Sequence, residues 1–246
     1  MPQHLLLQLL LYMDFGGNPL YSLTTENCFA FKSNCALANF NRVCHANIIS
    51  DNDIETIKAH FGTAPFAWFI DANDMISANI LHEHKFIKYQ NIMSGMSMNI
   101  ASITANICEP EVTIKEIDQQ QDKEKLIDII SCCFSCEKYE LTQGINNLLT
   151  NGAQAVKLYL GFYKNKPCAA GIFIYHKNIV TLHCIGTLPE YRNKGIGSAI
   201  TLYGLCDAAD NGMVQALLLS SPMAQSLYKK IGFEEYIQYH IYLHKP

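Results

Sequence analysis

The stretch of sequence that decides the fold runs from residue 181 to residue 199 and reads TLHCIGTLPEYRNKGIGSA. Its first residues are apolar and predict a strand, whereas the residues after Lys194 follow a helical pattern. The chain therefore passes from a strand through a glycine-bearing loop into a helix. Gly195 and Gly197 let backbone N–H groups approach a bound group closely, because neither residue has a Cβ. Unsatisfied N–H groups and the helix dipole favour an anion at a helix N-terminus, so we expect a phosphate or pyrophosphate to bind here.

Two basic side chains, Arg192 and Lys194, add positive charge at the same end of the helix. Two common phosphate-binding patterns do not fit this loop. A P-loop requires Lys and then Ser or Thr directly after its last glycine, whereas Gly197 is followed by Ser198. The dinucleotide-binding fingerprint requires a small residue three positions after Gly197, where Ile200 stands. The loop therefore belongs to a different class of phosphate site.

The second half of the chain, residues 111–246, reads as a complete α/β domain. Its pattern predicts a strand, two helices, three strands, a helix, a strand, a helix and a final strand. The first two of the three consecutive strands are joined by a turn-like sequence at residues 164–167, and Asn211 and Gly212 end the helix that follows the glycine loop. We therefore expect an α/β fold with a mixed sheet.

The first half, residues 1–108, is also mixed α and β, but it contains no glycine loop of this kind. Asp51 is a plausible cap for one of its helices. We interpret this half as a lobe that supports the second half or shapes a substrate site. The patterns predict helices near residues 3–13, 53–61 and 74–84, and strands near residues 28–32, 37–47, 66–70, 88–92 and 97–100.

The composition excludes several classes of protein. The chain has 246 residues, of which 49% are hydrophobic and only 16% charged, so it is a foldable chain and not an intrinsically disordered one. Its net charge of −4 and the absence of a basic block argue against nucleic acid as a partner. No run approaches the ~20 apolar residues of a membrane span. We therefore expect neither a nucleic-acid nor a membrane partner.

Ten cysteines do not make a disulfide scaffold in a chain of this length. Cys132, Cys133 and Cys136 lack a second pair of ligands at zinc spacing, and His82 and His84 are two positions apart, unlike the histidines of a zinc-protease helix. Buried reduced thiols are the simplest interpretation of the cysteines. The sequence therefore predicts a cytoplasmic protein without a metal site.

A family resemblance adds to this interpretation. The residues RNKGIG at 192–197 resemble the Arg/Gln-x-x-Gly-x-Gly/Ala signature of the GNAT superfamily of N-acetyltransferases. The residues AQSLYKKIGF at 224–233 are similar to the helix and strand of the same family that carry a Tyr and a Gly-Phe pair. The resemblance covers residues 111–246, which implies a GNAT acyl-CoA fold there. Residues 65–69 look like part of a degenerate GNAT-like first lobe.

The resemblance implies that acetyl-CoA is the co-substrate. Its pantetheine would lie along Ile185, Gly186 and Thr187, and a backbone N–H near Ile185 would polarise the acetyl carbonyl. Ser221 stands where many members place an Asn that contacts the cofactor. The Ser221 hydroxyl can also form a hydrogen bond, but its side chain is shorter than that of Asn. The pyrophosphate would bind at Arg192, Asn193, Lys194, Gly195, Ile196, Gly197 and Ser198.

The resemblance also implies two catalytic residues. Tyr228 occupies the position of the family's general acid, and His183 matches a strand position that carries a base in one branch of the family. Each has an alternative role as a packed core residue, since Tyr228 fits an apolar helix face and His183 lies on an apolar strand. Cys184 is a weak candidate nucleophile, because no base is paired with it.

In the expected reaction, a primary amine that belongs to a small molecule or peptide attacks acetyl-CoA directly. Two alternatives remain open at this point. Within enzymes, the same scaffold could carry a longer acyl chain or use a glycine-type acceptor. Outside enzymes, the domain could bind CoA or a partner protein without turnover. Fold resemblance does not choose the acceptor.

Overall fold

The computed structural model describes residues 22–33, 36–104, 111–117, 119–151 and 155–246. The predicted helix at residues 3–13 lies outside these ranges. Within them the chain forms twelve strands and six α-helices. The strands form one sheet in the order β1-β2-β3-β4-β12-β6-β11-β10-β9-β8-β7, and the short β5 pairs with β12. The mixed α/β fold expected from the sequence is confirmed.

The second half has its elements in the predicted order. Antiparallel pairing joins β7 to β10 in sequence, and β10 then pairs in parallel with β11 through the crossover helix α5. The elements are β7 (Val112–Glu116), α3 (Gln120–Phe134), α4 (Lys138–Asn151), β8 (Ala155–Tyr163), β9 (Lys166–His176), β10 (Ile179–Thr187), α5 (Ile196–Asp210), β11 (Gln215–Ser220), α6 (Pro222–Ile231) and β12 (Glu234–His244).

The first half contains eight strands and helices in its described part. These are β1 (Ser22–Thr24), β2 (Cys28–Phe31), β3 (Arg42–His45), α1 (Asp51–Phe61), β4 (Phe66–Asp71), α2 (Met75–Glu83), β5 (Ile87–Lys88) and β6 (Met93–Asn99). The long strand predicted at residues 37–47 is wrong in part, since a 3₁₀ turn at Ala38–Phe40 precedes the four residues of β3.

Two further details of the first half differ from the sequence-based prediction. The cap of α1 is Ser50 and not Asp51: the Ser50 hydroxyl accepts a hydrogen bond from the Asp53 N–H, and the Asp53 carboxylate accepts from the Ser50 N–H. The strands predicted near residues 88–92 and 97–100 are instead the two residues of β5 and the seven of β6. The ends of β5 and β6 are set by pairing with the distant strands β11 and β12. Local strand propensity therefore does not locate them.

The two halves of the sequence share the sheet. Strand β6 of the first half lies between β11 and β12 of the second half, antiparallel to both. The far end of β12, Tyr239–His244, pairs with β4 of the first half. Each half therefore contributes a strand to the other, and the change of character near residue 110 is not a break in the sheet.

Helices cover both faces of the second half's sheet. Apolar residues of α3 and α4, including Leu126 and Ile130, pack on one face, and apolar residues of α5 pack on the other. Gly204 shows how closely α5 approaches: a Cβ at this position would lie 2.3 Å from the ring of Phe173 on β9. The helix that begins at the glycine loop is therefore held directly against the sheet. No described helix is long and apolar enough to cross a membrane.

One supersecondary unit occurs twice. In the second half, β10 leads into α5, the parallel strand β11 and then α6. In the first half, β3 leads into α1, the parallel strand β4 and then α2. The two units lie in the same sheet. They differ in the residues at the N-termini of their first helices, α5 and α1, and these residues decide whether the helix end can bind an anion.

Candidate functional site

The two parallel strands β10 and β11 part before they end. Their register runs from Ile179 opposite Gln215 to Leu182 opposite Leu218, and there it stops. Strand β10 continues to Thr187, and β11 continues to Ser220 along its other neighbour, β6. A gap therefore opens between the carboxyl ends of β10 and β11, and such gaps are where open α/β sheets bind ligands.

A β-bulge lies in the part of β10 that borders this gap. The register with β9 passes from His183 opposite Ile172 to Gly186 opposite Ala170, so two residues of β10 face one residue of β9. Cys184 in the bulge has a φ of 52°, a left-handed conformation that is uncommon for a residue with a side chain. The bulge leaves Cys184 and Ile185 outside the ladder with β9.

The loop after β10 winds through two left-handed residues before α5 begins. Asn193 has a φ of 61°, and Gly195, the N-cap residue, has a φ of 73°. No side chain caps α5. The Ala199 N–H bonds back to the Gly195 carbonyl, so the N–H groups of the residues before Ala199, which have no earlier turn to bond to, point out of the helix end. This end is open to an anion.

Two cations border the open helix end. The Arg192 Nε donates to the carbonyl oxygen of Thr187 at 3.1 Å, which holds the guanidinium beside the end of β10. The Lys194 ammonium lies 5.4 Å from the centre of the Tyr163 ring, a cation–π contact on the other side of the loop. Residues 192–195 are all exposed, so both charges are accessible to a ligand.

Close packing between the two helices of this unit also depends on glycine. A Cβ on Gly197 would lie 3.1 Å from the Cδ1 of Leu227, so the first turn of α5 packs against α6.

Ser221 is the N-cap residue of α6, and its side chain makes no capping hydrogen bond there. Ser221 directly follows the last residue of β11.

The expected general acid, Tyr228, lies on α6 with only 6% of its surface exposed. Burial raises the pKa of Tyr228 above its ordinary value, and the nearby Cys184 adds to the effect. The phenol is therefore protonated at neutral pH. The Tyr228 ring packs edge-on against the Phe233 ring, with 5.7 Å between their centres.

The expected base, His183, lies at the start of the bulge. Its Nε2 is 2.8 Å from the Oγ1 of the buried Thr181. Burial, together with the nearby Arg42 guanidinium, lowers the pKa of His183 to about 3. The imidazole is therefore neutral at physiological pH, and its conjugate acid is strongly acidic.

Two features of this region were not foreseen from the sequence, because they come from the first half of the chain. Arg42 at the start of β3 is close enough to act on the charges of both His183 and Cys184, and its guanidinium lies 5.7 Å from the centre of the Phe69 ring. Phe40 packs on α4, where a Cβ on Gly144 would lie 2.7 Å from its ring. No local pattern indicates either contact.

Cys184 is also placed where it could be mistaken for a nucleophile. Burial raises the pKa of Cys184 to about 12, although the Arg42 charge opposes the effect. A thiol with this pKa is protonated at neutral pH and is a poor nucleophile. Within the described residues there is also no cluster of three or more His, Cys, Asp or Glu side chains that could hold a metal.

The predicted cofactor residues therefore lie near the carboxyl ends of β10 and β11. Ile185, Gly186 and Thr187 end β10, Ser221 directly follows β11, and the residues from Arg192 to Ser198 form the loop and the first turn of α5. An uncapped helix N-terminus between two cations fits a pyrophosphate, and the bulged strand offers backbone groups to an extended amide chain such as pantetheine.

The chain was compared with known proteins. Residues 158–235 match the family model described as "Acetyltransferase (GNAT) domain". No curated protein matches the chain by sequence.

Three solved structures illustrate the structural likeness. A GCN5-related N-acetyltransferase from Kribbella flavida shares 15% identity at a TM-score of 0.68, over 92% of this chain and 89% of that one. A functionally unknown conserved protein from Staphylococcus epidermidis shares 13% identity at a TM-score of 0.70, over 91% and 92%. A tandem GNAT protein from the clavulanic acid biosynthesis pathway shares 7% identity at a TM-score of 0.61, over 98% and 94%. At these identities the likeness shows the fold alone.

Proposed function

We propose that this chain, whose residues 158–235 match the GNAT acetyltransferase family model, transfers an acetyl group from acetyl-CoA to a primary amine of a small molecule or peptide. The observation that carries this proposal is the uncapped start of α5 at the point where β10 and β11 part. An anion site and a gap for an extended chain meet there. That combination suits a nucleotide carrying a pantetheine arm better than a free phosphate.

Binding would divide between the loop and the strand. The N–H groups at the start of α5, with Arg192 and Lys194 beside them, would hold the pyrophosphate. Backbone groups of Ile185, Gly186 and Thr187 would pair with the pantetheine amides, in place of the strand that β10 loses when β11 turns away. The Ser221 hydroxyl, which caps no helix N–H, is available to the same ligand from the far side.

The reaction needs no covalent intermediate on the protein. The amine nitrogen attacks the thioester carbonyl carbon, a C–N bond forms, and the C–S bond breaks. One proton leaves the attacking nitrogen, and one proton reaches the departing sulfur, so the products are an amide and a free thiol. A backbone N–H near Ile185 would stabilise the negative charge that develops on the carbonyl oxygen. The protonated Cys184 is not required as a nucleophile.

Tyr228 would supply the proton to the sulfur. Because its pKa is raised, the phenol is a hydrogen-bond donor at every physiological pH. A thiolate with an ordinary pKa near 8.5 is a weaker base than the Tyr228 phenolate, so transfer to sulfur would be coupled to loss of the proton from the amine. The same raised pKa means that the Tyr228 phenolate, once formed, is quickly reprotonated.

His183 would act on the amine as a neutral acceptor. A neutral imidazole can accept a hydrogen bond from the attacking nitrogen, with Thr181 as the partner of Nε2. A pKa of about 3 makes it a weak base, which suits orienting a neutral amine better than removing a proton from an ammonium ion. The ammonium would then lose its proton to solvent before attack.

The weak basicity of His183 also supports a second candidate function, a domain that binds CoA without turnover. In that case α5 and the glycine loop would still bind the nucleotide, but no acetyl transfer would follow. A longer-chain acyltransferase, or one with a glycine-type acceptor, is the nearest enzymatic alternative, since the gap itself sets no limit on the acyl group in the described residues.

The first half would serve as a degenerate GNAT-like lobe that shapes the acceptor side of the site. Arg42 and Phe40 support this role, because both reach the second half next to β10 and α4. The segment is also anchored by the Ala36 N–H, which donates to the Glu140 carboxylate at 2.9 Å. A cytoplasmic location fits the eight described cysteines, all of which are free thiols.

Calorimetric titration with acetyl-CoA tests the cofactor proposal, with desulfo-CoA and ATP as controls. We expect saturable binding of acetyl-CoA and of desulfo-CoA, since both carry the pyrophosphate and pantetheine, and weaker binding of ATP. Gly195→Glu should abolish this binding, because a carboxylate would occupy the anion site. An absence of acetyl-CoA binding would contradict both candidate functions.

Turnover separates the two functions. The protein is incubated with acetyl-CoA and a panel of primary amines, and free thiol is measured. Thiol release that depends on the amine supports transfer. Tight binding without thiol release on any amine of the panel, with acetyl- or longer acyl-CoA, supports the non-catalytic alternative.

A further inference from the structure

A cavity lies at the carboxyl ends of β3 and β4, where β12 of the second half also borders it. Its volume is about 820 Å³, within the usual range for small-molecule sites. The two strands pair in parallel only up to Cys44 opposite Phe69, and the cavity opens beyond that point. Among its lining residues are His45, Asn47, Phe69, Asp71, Asp74 and Tyr239. It therefore occupies the same place in its supersecondary unit as the gap between β10 and β11.

The helix end beside this cavity is closed to anions. The Ser50 hydroxyl and the Asp53 carboxylate already satisfy backbone N–H groups at the start of α1, and the Asn27 amide also bonds to Asp53. Although burial acts the other way, these hydrogen bonds hold the pKa of Asp53 below its ordinary value, so the carboxylate is ionised at neutral pH. A pyrophosphate would meet a negative charge here, in contrast to the open start of α5.

The cavity itself is anionic. Asp71 and Asp74 line it, and no Lys or Arg is among the described residues that do so. Although burial opposes the effect, hydrogen bonds from Ser77 and His45 keep the pKa of Asp74 below its ordinary value. The carboxylate of Asp71 accepts through Oδ1 from the Asn73 N–H at 2.9 Å and from the Asn73 side-chain amide at 3.2 Å. Its Oδ2 accepts no hydrogen bond from the described part of the chain.

His45 positions one of these carboxylates. The Trp68 Nε1–H donates to the His45 Nδ1 at 3.2 Å. The His45 Nε2–H in turn donates to the Asp74 carboxylate at 3.0 Å. The ring is therefore oriented by two partners and holds the Asp74 carboxylate at the cavity wall.

A buried donor also points to a ligand. Tyr239 on β12 lines the cavity with 2% of its surface exposed, yet its hydroxyl has no hydrogen-bond partner in the described residues. Burial raises the pKa of Tyr239 above its ordinary value, so the phenol keeps its proton. A buried hydroxyl without a partner is costly, and such groups in native proteins commonly meet a ligand or water.

We propose that this cavity binds a small organic cation, a primary ammonium whose carbon chain carries a hydroxyl or carbonyl oxygen. The ammonium would bind the Oδ2 of the Asp71 carboxylate, beside Asp74. The hydroxyl or carbonyl oxygen of the ligand would accept a hydrogen bond from the Tyr239 hydroxyl. Phe69 and Ile237 would pack along the carbon chain. The inference goes beyond the proposed acetyl transfer, because this binding needs no acyl-CoA and uses none of the residues around α5.

The test is calorimetric titration of the full chain, without acyl-CoA and at low salt, with ethanolamine, propanolamine and aminopentanol. Each amine is compared with its N-acetyl derivative, which has the same chain but no charge. We expect at least one amine to bind, and at least tenfold more tightly than its neutral derivative. Failure of all three amines to bind, or equal binding of amine and derivative, would overturn the proposal.

Variants locate the site. Asp71→Asn should weaken amine binding at least tenfold, because it removes the charge at constant shape. Tyr239→Phe should weaken binding severalfold while leaving the unfolding temperature of the free protein unchanged or higher, since it removes an unsatisfied hydroxyl. Tyr242→Phe is the matched control, because Tyr242 is buried on the same strand but packs with the α1 and α2 cluster.

Amine binding that is the same in the wild type and in both cavity variants would place the ligand elsewhere and refute the assignment. Acetyl-CoA binding, measured in parallel, should be unchanged in Asp71→Asn and Tyr239→Phe. If the wild-type protein does not bind acetyl-CoA, the transferase proposal is contradicted but the amine result is unaffected. Failure of the transferase proposal can therefore be distinguished from failure of the amine-binding proposal.

Discussion

The guanidinium of Arg192 donates through Nε to the carbonyl oxygen of Thr187 at 3.1 Å. This hydrogen bond joins the mouth of the glycine loop to the last residue of β10. The guanidinium also hydrogen-bonds to the Cys133 side chain, and its remaining N–H groups are suited to a phosphate. The contact thus orients a charge that would otherwise move freely on an exposed side chain.

Arg192→Ala should weaken acetyl-CoA binding about tenfold, which corresponds to about 1.4 kcal/mol. The substitution removes a positive charge and an oriented donor from the edge of the anion site, but it leaves the backbone N–H groups of α5 in place. Calorimetry gives the dissociation constant directly. The unfolding free energy should change by less than about 0.5 kcal/mol, since the side chain is exposed.

Arg192→Lys is the control for this prediction. It keeps the charge but lacks the Nε that bonds to Thr187. An affinity between those of the wild type and Arg192→Ala would show that both charge and orientation contribute. If Arg192→Ala binds acetyl-CoA as the wild type does, the loop is not the pyrophosphate site.

Gly195 and Gly212 both have left-handed backbones, at φ values of 73° and 81°, and they flank the two ends of α5. An alanine at either position should destabilise the fold by about 1–2 kcal/mol, because a Cβ disfavours this conformation. Only Gly195→Ala should also weaken acetyl-CoA binding, because a methyl group enters the anion site. Urea unfolding and calorimetry on both variants measure the two effects.

Comparing Gly195→Ala with Gly212→Ala is informative, because both variants carry the same cost of placing an alanine in a left-handed backbone conformation. Nothing lies within 4 Å of a Cβ built on Gly212, so that variant carries the strain alone. Equal affinities of the two variants for acetyl-CoA would mean that the N-terminus of α5 does not contact the ligand.

Tyr228→Phe should lower kcat for acetyl transfer by about 100-fold, a typical effect of losing a general acid, while the dissociation constant of acetyl-CoA changes by less than about twofold. The ring still fills its place against Phe233, so stability is retained. Steady-state kinetics and calorimetry separate turnover from binding. Comparable losses of binding and turnover would indicate a packing role.

The raised pKa of Tyr228 also predicts the pH profile. The phenol stays protonated up to and beyond its ordinary pKa near 10, so the wild-type rate should show no downward step from this residue between about pH 6 and pH 9. A rate that falls in this interval, and whose fall disappears in Tyr228→Phe, would contradict the observed burial.

Asp207 on α5 joins the helix to the sheet. Its Oδ2 accepts hydrogen bonds from the hydroxyls of Tyr159 and Tyr175 at 2.7 and 2.8 Å, and it lies 2.6 Å from the Lys157 ammonium. Asp207→Asn should lower the free energy of unfolding at pH 7 by about 2 kcal/mol, because it removes a charge that three donors share. Urea unfolding measures the difference.

The sign of the pH dependence follows from the pKa of Asp207. Although burial acts to raise it, the hydrogen bonds from Lys157, Tyr159 and Tyr175 hold this pKa below its ordinary value. The charge therefore stabilises the fold above the unfolded pKa of about 3.9, and this contribution is lost as the pH falls through the folded value. The difference between wild type and variant should be constant near neutral pH and should shrink below about pH 4.

Asp210→Asn provides the comparison for Asp207. Asp210 is exposed in the last turn of the same helix, where a negative charge opposes the dipole. Its substitution should leave stability unchanged or raise it by a few tenths of a kcal/mol. A loss equal to that of Asp207→Asn would show that the hydrogen-bond cluster contributes little.

The strongest predictions from sequence concerned elements with a clear period or a glycine. The strand that leads into the glycine loop, the loop at Gly195 and the helix that ends before Asn211 were all indicated by local pattern. The cap of α1 was assigned one residue late, since Ser50 and Asp51 both have side chains that can cap and only the backbone of Ser50 is extended. The edges of β5 and β6 were misplaced because their partners are distant in sequence.

The sequence by itself determined the order of strands and helices in the second half, the glycine loop between β10 and α5, and the likeness of residues 158–235 to a GNAT family model. These properties arise from neighbours along the chain, where hydrophobic period and glycine position act directly. Only the tertiary structure decided that the Arg42 charge acts on Cys184, that β10 and β11 part, and that Tyr239 lines an anionic cavity. These relationships depend on which distant strands pair, and a local pattern carries no information about that choice.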